Sequence, residues 1–138
     1  MPFENTPLPY AFDALEPYID ARTMEIHHDR HLQAYIDGLN RAIAPFPALQ
    51  NCTAARLAVL NAPTLRCIRP ALCRNAGGVF NHRFYFAGMT PDGSRRLPCG
   101  ALQAAVLQTF GTQAAFEDAF TKAALGVFGS GYVWLVRD

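Results

Sequence analysis

Prolines and glycines divide this chain into stretches that can be helical and stretches that cannot. The first 19 residues hold four prolines, at positions 2, 7, 9 and 17, among aromatic residues. This pattern predicts an extended lead-in without regular structure. A helix is predicted from Asp20, as its N-cap, to Ile43, with Gly38 as an interior weak point, because apolar residues recur there at helical spacing. The prolines at positions 45 and 47 end this helix.

Two further helices are predicted before residue 90. The shorter one spans Ala54–Leu60, with Thr53 as its cap, and the longer one spans residues 64–89. The adjacent glycines at positions 77 and 78 each cost about 1 kcal/mol relative to alanine inside a helix. They therefore indicate a close approach of another backbone or side chain.

The remainder of the chain is predicted to be a loop, two helices and a strand. Proline, glycine, aspartate and serine cluster in residues 90–100, which indicates the loop. Apolar stripes then predict helices over residues 102–110 and 112–127. The last seven residues, 132–138, are mostly aromatic and β-branched and predict a strand that has no partner strand in the sequence.

Composition indicates a globular protein and excludes several classes of partner. Of the 138 residues, 51% are hydrophobic and 17% are charged, which argues against disorder. The net charge of +1 gives no electrostatic reason to expect nucleic acid or an anionic membrane as a partner. The N-terminus lacks the pattern of a signal peptide. The four cysteines form no CxxC pair, and free thiols suit a reducing compartment, so we expect a cytoplasmic location.

Four histidines are the candidate metal ligands. On one helix, His27, His31 and Tyr35 are spaced four residues apart and lie on one face, whereas His28 points away from it. An i, i+4 histidine pair can chelate a metal, or one histidine can bind while the other orders water. Solvated or hydrogen-bonded structural histidines are the alternative.

His82 lies on an aromatic helical face, one turn after Gly78 and one turn before Phe86. Histidines in such positions are more often core or boundary residues than ligands. The small residues before it would nevertheless let this helix lie against the first one and bring His82 close to His27. The residues alone therefore predict a possible two-histidine metal site between two helices, without naming a metal or a reaction.

Three stretches of the chain resemble the iron/manganese superoxide dismutases. They are TMEIHHDRHLQAYIDGLN, RNAGGVFNHRFYFAGMTP and FGSGYVWLV, in the order in which that family has them. The resemblance implies a mostly α fold. It consists of an N-terminal antiparallel helical hairpin over residues 1–90, followed over residues 98–138 by two helices and one strand of a truncated α/β domain.

The resemblance also implies roles for particular residues. His27 and His82 would bind a manganese or iron ion, and His31 and Tyr35 would line the gateway for the substrate, superoxide. Phe86 and Tyr132 stand where the family usually has tryptophans around the metal. Two superoxide ions would be converted to dioxygen and hydrogen peroxide, and a homo-oligomer is implied for a complete member.

Two departures from the family pattern matter. Gly78 stands where iron-type members often place glutamine and manganese-type members place glycine, which leaves the metal undecided and favours manganese slightly. The family's DxWEHAY-type segment supplies an aspartate and a third histidine ligand, and the 138 residues do not include it. Asp138 follows the predicted strand and is not the missing ligand.

Three functional hypotheses follow. The first is a superoxide dismutase whose sequence is truncated, so that the chain alone has little activity. The second is a non-catalytic helical interaction module, and the third is a metal site that a partner chain completes.

Overall fold

The computed structural model describes residues 2–92 and 97–136. The chain divides into two compact units, Met1–Gly93 and Ser94–Asp138. Part of the predicted loop over residues 90–100 and the last two residues of the predicted strand lie outside the described residues.

The first long helix has three consecutive segments. Helix α1 spans Ala21–Glu25, a π-helical turn spans Ile26–Leu32, and helix α2 spans Gln33–Ile43. The predicted N-cap is confirmed, because the Asp20 carboxylate accepts a hydrogen bond from the backbone N–H of Thr23 at 2.8 Å. The predicted helix therefore forms, but with a π-helical middle that its apolar spacing did not indicate.

The second long helix is α4, over Arg69–Gly88, and the short helix α3 over Ala54–Val59 precedes it. Thr53 caps α3 as predicted. The predicted start of α4 at residue 64 was wrong. Pro70 has no backbone N–H and is tolerated only in the first helical turn, so α4 starts next to it. A separate 3₁₀ turn, Pro63–Leu65, precedes it.

The two long helices of the first unit are antiparallel. As residue numbers rise along the first helix, the residue numbers of their contacts on α4 fall. The ring of His27 lies against Phe86 and that of His31 against His82. Further along, Tyr35 lies against Gly78. This geometry brings the predicted site residues of both helices to the same level.

Gly38 and Gly78 permit the close approach of these helices. A Cβ atom on Gly78 would lie 2.5 Å from Cγ of the Tyr35 ring, and one on Gly38 would lie 2.5 Å from Oδ1 of Asn75. A Cβ atom on Gly77 would meet nothing within 4 Å. The predicted close approach at the glycine pair therefore depends on Gly78 alone, and Gly38, which was expected only to weaken its helix, shares this role.

The lead-in runs across both helices and is held by polar contacts. The Asn40 side chain accepts from the backbone N–H of Phe3 and donates to its carbonyl oxygen, both at 2.8 Å. The Tyr10 hydroxyl donates to the carbonyl oxygen of Phe86 at 2.9 Å. An apolar core beneath it joins the lead-in and both long helices. Its fully buried large side chains are Met24, Leu32, Ile36, Leu39, Ile43, Leu57, Leu72 and Val79.

The second unit contains helices α5, over Gly100–Phe110, and α6, over Gln113–Leu125. Gly111, with φ of +80°, ends α5, and Thr112 caps α6, as predicted. The described residues are thus mostly helical, as expected. No described helix has both the length and the apolar character that a bilayer crossing requires.

The predicted strand does not form among the described residues of the second unit. Residues 131–136 have no regular secondary structure. A β-strand is defined by hydrogen bonds to a neighbouring strand, and the described residues contain no second strand. High β-propensity alone was therefore not enough.

Two neighbouring substitutions test the helix contact at Gly78. Gly78→Ala should lower the free energy of unfolding by about 1–3 kcal/mol, because the new methyl group collides with the Tyr35 ring. Gly77→Ala is the matched control. It should raise that free energy by about 0.5–1 kcal/mol, because alanine is the better helix former and its methyl group meets nothing. Urea denaturation measures both, and equal effects of the two substitutions would contradict the contact.

Candidate metal centre

Three histidines from two helices converge in the first unit. His27 and His31 come from the π-helical turn, and His82 comes from α4. One ring nitrogen of each lies within 4.8 Å of the corresponding nitrogens of the other two. The ring centroids are 4.9 Å apart for His27 and His82, 5.0 Å for His31 and His82, and 5.6 Å for His27 and His31. The separation of these ring nitrogens is close to what binding of one shared ion requires.

The π-helical turn determines which side chains face α4. Turns of this kind are rare and occur frequently at functional sites, because the extra residue in each hydrogen-bonded ring turns side chains relative to an α-helix. Here the buried residues of the turn are His28 and Leu32, and His27 and His31 lie towards the second helix. The predicted i, i+4 pair therefore faces α4 together.

The ring of His82 is oriented by its own helix. Its Nδ1 lies 2.7 Å from the carbonyl oxygen of Gly78, which can only accept, so this nitrogen carries the proton and donates. The tautomer therefore leaves Nε2 with a lone pair. Metal-binding histidines commonly donate their other ring N–H in this way.

The environment keeps two of these rings neutral. Burial, together with the nearby imidazoles of His82 and His31, lowers the pKa of His27 from 6.5 to about 4. Burial also lowers the pKa of His82, against the opposing hydrogen bond to Gly78. Near pH 7 both side chains are therefore in the neutral form, which is the form that binds metal ions.

His28 has a structural role, which sequence spacing left open. It is buried, its Nε2 lies 2.9 Å from the carbonyl oxygen of Thr6, and its Nδ1 lies 2.6 Å from the Asp29 carboxylate. In contrast, no hydrogen bond to the described residues engages the ring nitrogens of His27 or His31. The fold thus separates one structural histidine from the cluster.

Aromatic rings surround the cluster. The ring centroid of Tyr35 lies 5.2 Å from that of His31 and 5.3 Å from that of His82. The ring centroid of buried Phe86 lies 5.0 Å from that of His27. Tyr85, 5.9 Å from the His27 ring, was not predicted, because its place next to Phe86 in the sequence gave no sign of its direction. Tyr132 belongs to the second unit, and its expected place near the metal stays a prediction.

The donor set fits a transition-metal ion. Imidazole nitrogens bind such ions at about 2.0–2.1 Å, which places two nitrogens on one tetrahedral ion about 3.4 Å apart. Nitrogens within 4.8 Å of one another reach that separation by small side-chain rotations. His31 is exposed, so its ring has room to move, whereas the Gly78 carbonyl fixes that of His82.

Models of two domains match almost the whole chain. The alpha-hairpin domain of iron/manganese superoxide dismutases matches residues 2–90, and their C-terminal domain matches residues 98–138. The chain belongs to the iron/manganese superoxide dismutase family. The resemblance that the three stretches carry is therefore confirmed.

Individual relatives within the family are similar along the whole chain. It is 42% identical to superoxide dismutase [Mn] of Thermus aquaticus over 137 residues, which cover 99% of this chain and 67% of the relative. It is 47% identical to superoxide dismutase [Mn] 3 of Leptolyngbya boryana, with 99% and 57% covered. For the Pseudomonas aeruginosa superoxide dismutase [Mn] the identity is 46%, with 98% and 66% covered. The chain thus spans between about half and two thirds of the length of these relatives.

The low pKa of His27 predicts that acid destabilises the metal-free protein. In the unfolded chain this histidine takes up a proton near pH 6.5, but in the folded chain only near pH 4. Between these values the unfolded state binds more protons, so the free energy of unfolding should fall as the pH is lowered. The contribution of neutral His27 to the free energy of unfolding is fully present above pH 6.5 and is lost as the pH falls towards 4.

Urea denaturation at pH 7, 6 and 5 in the presence of a chelator measures this effect. His27→Gln removes the titrating group and should lose less stability across the window than the wild type. An equal loss in both proteins would show that His27 titrates normally in the folded chain.

Proposed function

We propose that this chain is the part of a superoxide dismutase that supplies two histidine ligands, His27 and His82, to a catalytic manganese or iron ion. The observation that carries the proposal is the convergence of these side chains across the antiparallel helices of a chain from this family. Held by these residues, the ion would supply one-electron chemistry between its +3 and +2 states, so that one superoxide ion is oxidised to dioxygen and the next, with two protons, is reduced to hydrogen peroxide.

The chain's own residues prepare the site for this chemistry. His82 is held in one tautomer by the Gly78 carbonyl, and His27 is kept neutral by its surroundings. Phe86, buried against the His27 ring, excludes water from that side. Neutral imidazoles bind a metal without first losing a proton.

His31 and Tyr35 are proposed to line the route of the substrate. His31 is exposed, Tyr35 is half-buried behind it, and their rings are 5.2 Å apart. An imidazole and a phenol can both donate hydrogen bonds to a small anion and pass protons to the peroxide product.

We propose manganese as the preferred metal. Relatives that match along the whole chain are named as manganese enzymes. The packing at Gly78 agrees with this choice, because the glutamine that iron-type members often have there would collide with Tyr35.

Residues 1–90 and 98–138 are proposed as parts of two domains, a helical hairpin and an α/β domain in which Tyr132 lies near the metal. The aspartate and the third histidine ligand that the resemblance implies would come from outside these 138 residues. We also propose a cytoplasmic location, since all four cysteines are free thiols, and a homo-oligomer, as the resemblance implies.

The experiment compares the 138-residue chain with a chimaera that carries the C-terminal third of the Thermus aquaticus relative. Loss of a residue that merely hydrogen-bonds to a metal ligand reduces activity by about 10–100-fold. Supplying two absent ligands should therefore raise the rate of superoxide dismutation by more than about tenfold. His27→Ala in the chimaera should abolish this gain. Arg30→Ala, an exposed neighbour outside the cluster, should retain it.

Two outcomes would contradict the proposal. If the chimaera folds, binds manganese and does not dismutate superoxide, the chain is a non-catalytic helical module. If the 138 residues alone dismutate superoxide as fast as the chimaera, the ligands from outside are not needed.

A further inference from the structure

His31 lies nearly as close to His82 as His27 does, and only slightly farther from His27. Its ring centroid lies 5.0 Å from that of His82 and 5.6 Å from that of His27, against 4.9 Å between His27 and His82. A residue that only lines a route into the site does not need a ring nitrogen within 4.8 Å of both proposed ligands. The geometry therefore allows His31 a second role.

His31 also has the freedom to bind. It is exposed, and no hydrogen bond to the described residues engages its ring. The other two rings are more constrained, since Phe86 packs against His27 and the Gly78 carbonyl fixes His82. An exposed third imidazole can complete a site that the two more constrained imidazoles begin.

The chemistry of three imidazoles selects a particular class of ion. A neutral donor set with no carboxylate does not balance the charge of a trivalent ion, whereas imidazole nitrogens suit borderline divalent ions such as zinc. Three histidines with one position left for water are an established arrangement for zinc. The cluster formed by the described residues contains histidines alone.

We propose that His31 is a third metal ligand, which with His27 and His82 gives the helical unit a three-imidazole site for a divalent ion such as zinc. The proposal rests on the proposed function in that it takes His27 and His82 as ligands. The proposal goes beyond that function because it makes His31 a ligand, gives a donor set of three imidazoles and names a divalent ion. Ligands from outside these residues would then displace His31 and return it to the mouth of the site.

Zinc binding to the 138-residue chain tests this role. Isothermal titration calorimetry at pH 7.5 should give one zinc site. His31→Ala should weaken the affinity for zinc by at least about tenfold, because losing a residue that only hydrogen-bonds to a metal ligand already has an effect of that size. Arg30→Ala, the exposed neighbour, is the matched control and should bind zinc like the wild type. Because both side chains are exposed, neither substitution should unfold the protein.

Long-range ¹H–¹⁵N spectra of the histidine rings give a second readout that needs no substitution. On addition of zinc, one ring nitrogen of His31 should shift together with one of His27 and Nε2 of His82. The ring nitrogens of His28, which are engaged by Thr6 and Asp29, should stay unchanged.

The outcomes separate this inference from the proposed function. Unchanged zinc affinity in His31→Ala, with loss of binding in His27→Ala, would overturn the role of His31 and leave the ligand pair intact. If His31→Ala and His27→Ala both bind zinc as tightly as the wild type, neither histidine is a zinc ligand, which would overturn both the role of His31 and the ligand pair. Zinc-induced shifts confined to His27 and His82 would also exclude His31 as a ligand.

Discussion

The close approach of the two long helices at Gly78 is the contact on which the histidine cluster depends. The Tyr35 ring occupies the space that a side chain at this position would need. The carbonyl oxygen of the same residue holds Nδ1 of His82. One glycine thus determines both how near the helices come and which nitrogen of His82 carries the proton. A larger residue would require the Tyr35 ring or the helices themselves to shift.

His27 and His28 show how the fold distinguishes a ligand from a structural histidine. Both belong to the same π-helical turn, yet the lead-in and Asp29 engage both ring nitrogens of His28. Half-buried His27 faces two other imidazoles, and its ring nitrogens make no hydrogen bond with the described residues. Buried polar groups are normally hydrogen-bonded, so a histidine left without such a bond beside two others indicates a place for an ion.

Helix boundaries and caps could be predicted from local chemistry. Asp20 and Thr53 accept from backbone N–H groups as their positions indicated, because capping involves residues only three positions apart. The start of α4 was predicted too early, at residue 64, whereas the helix starts at Arg69 with Pro70 in its first turn. The strand over residues 132–138 was predicted from propensity, and its described part is irregular because a strand also needs a neighbour.

The sequence by itself determined the helical stretches, the shared face of His27, His31 and Tyr35, and, through its motifs, the family. These features depend on residues that are near in the chain. Only the tertiary structure decided that Gly78 rather than Gly77 permits the helix contact, that Tyr85 lies beside His27, and that His31 is within reach of the other two histidines. Each of these depends on how residues more than forty positions apart in the chain, on two different helices, pack together. Helical spacing within one segment carries no information about that packing.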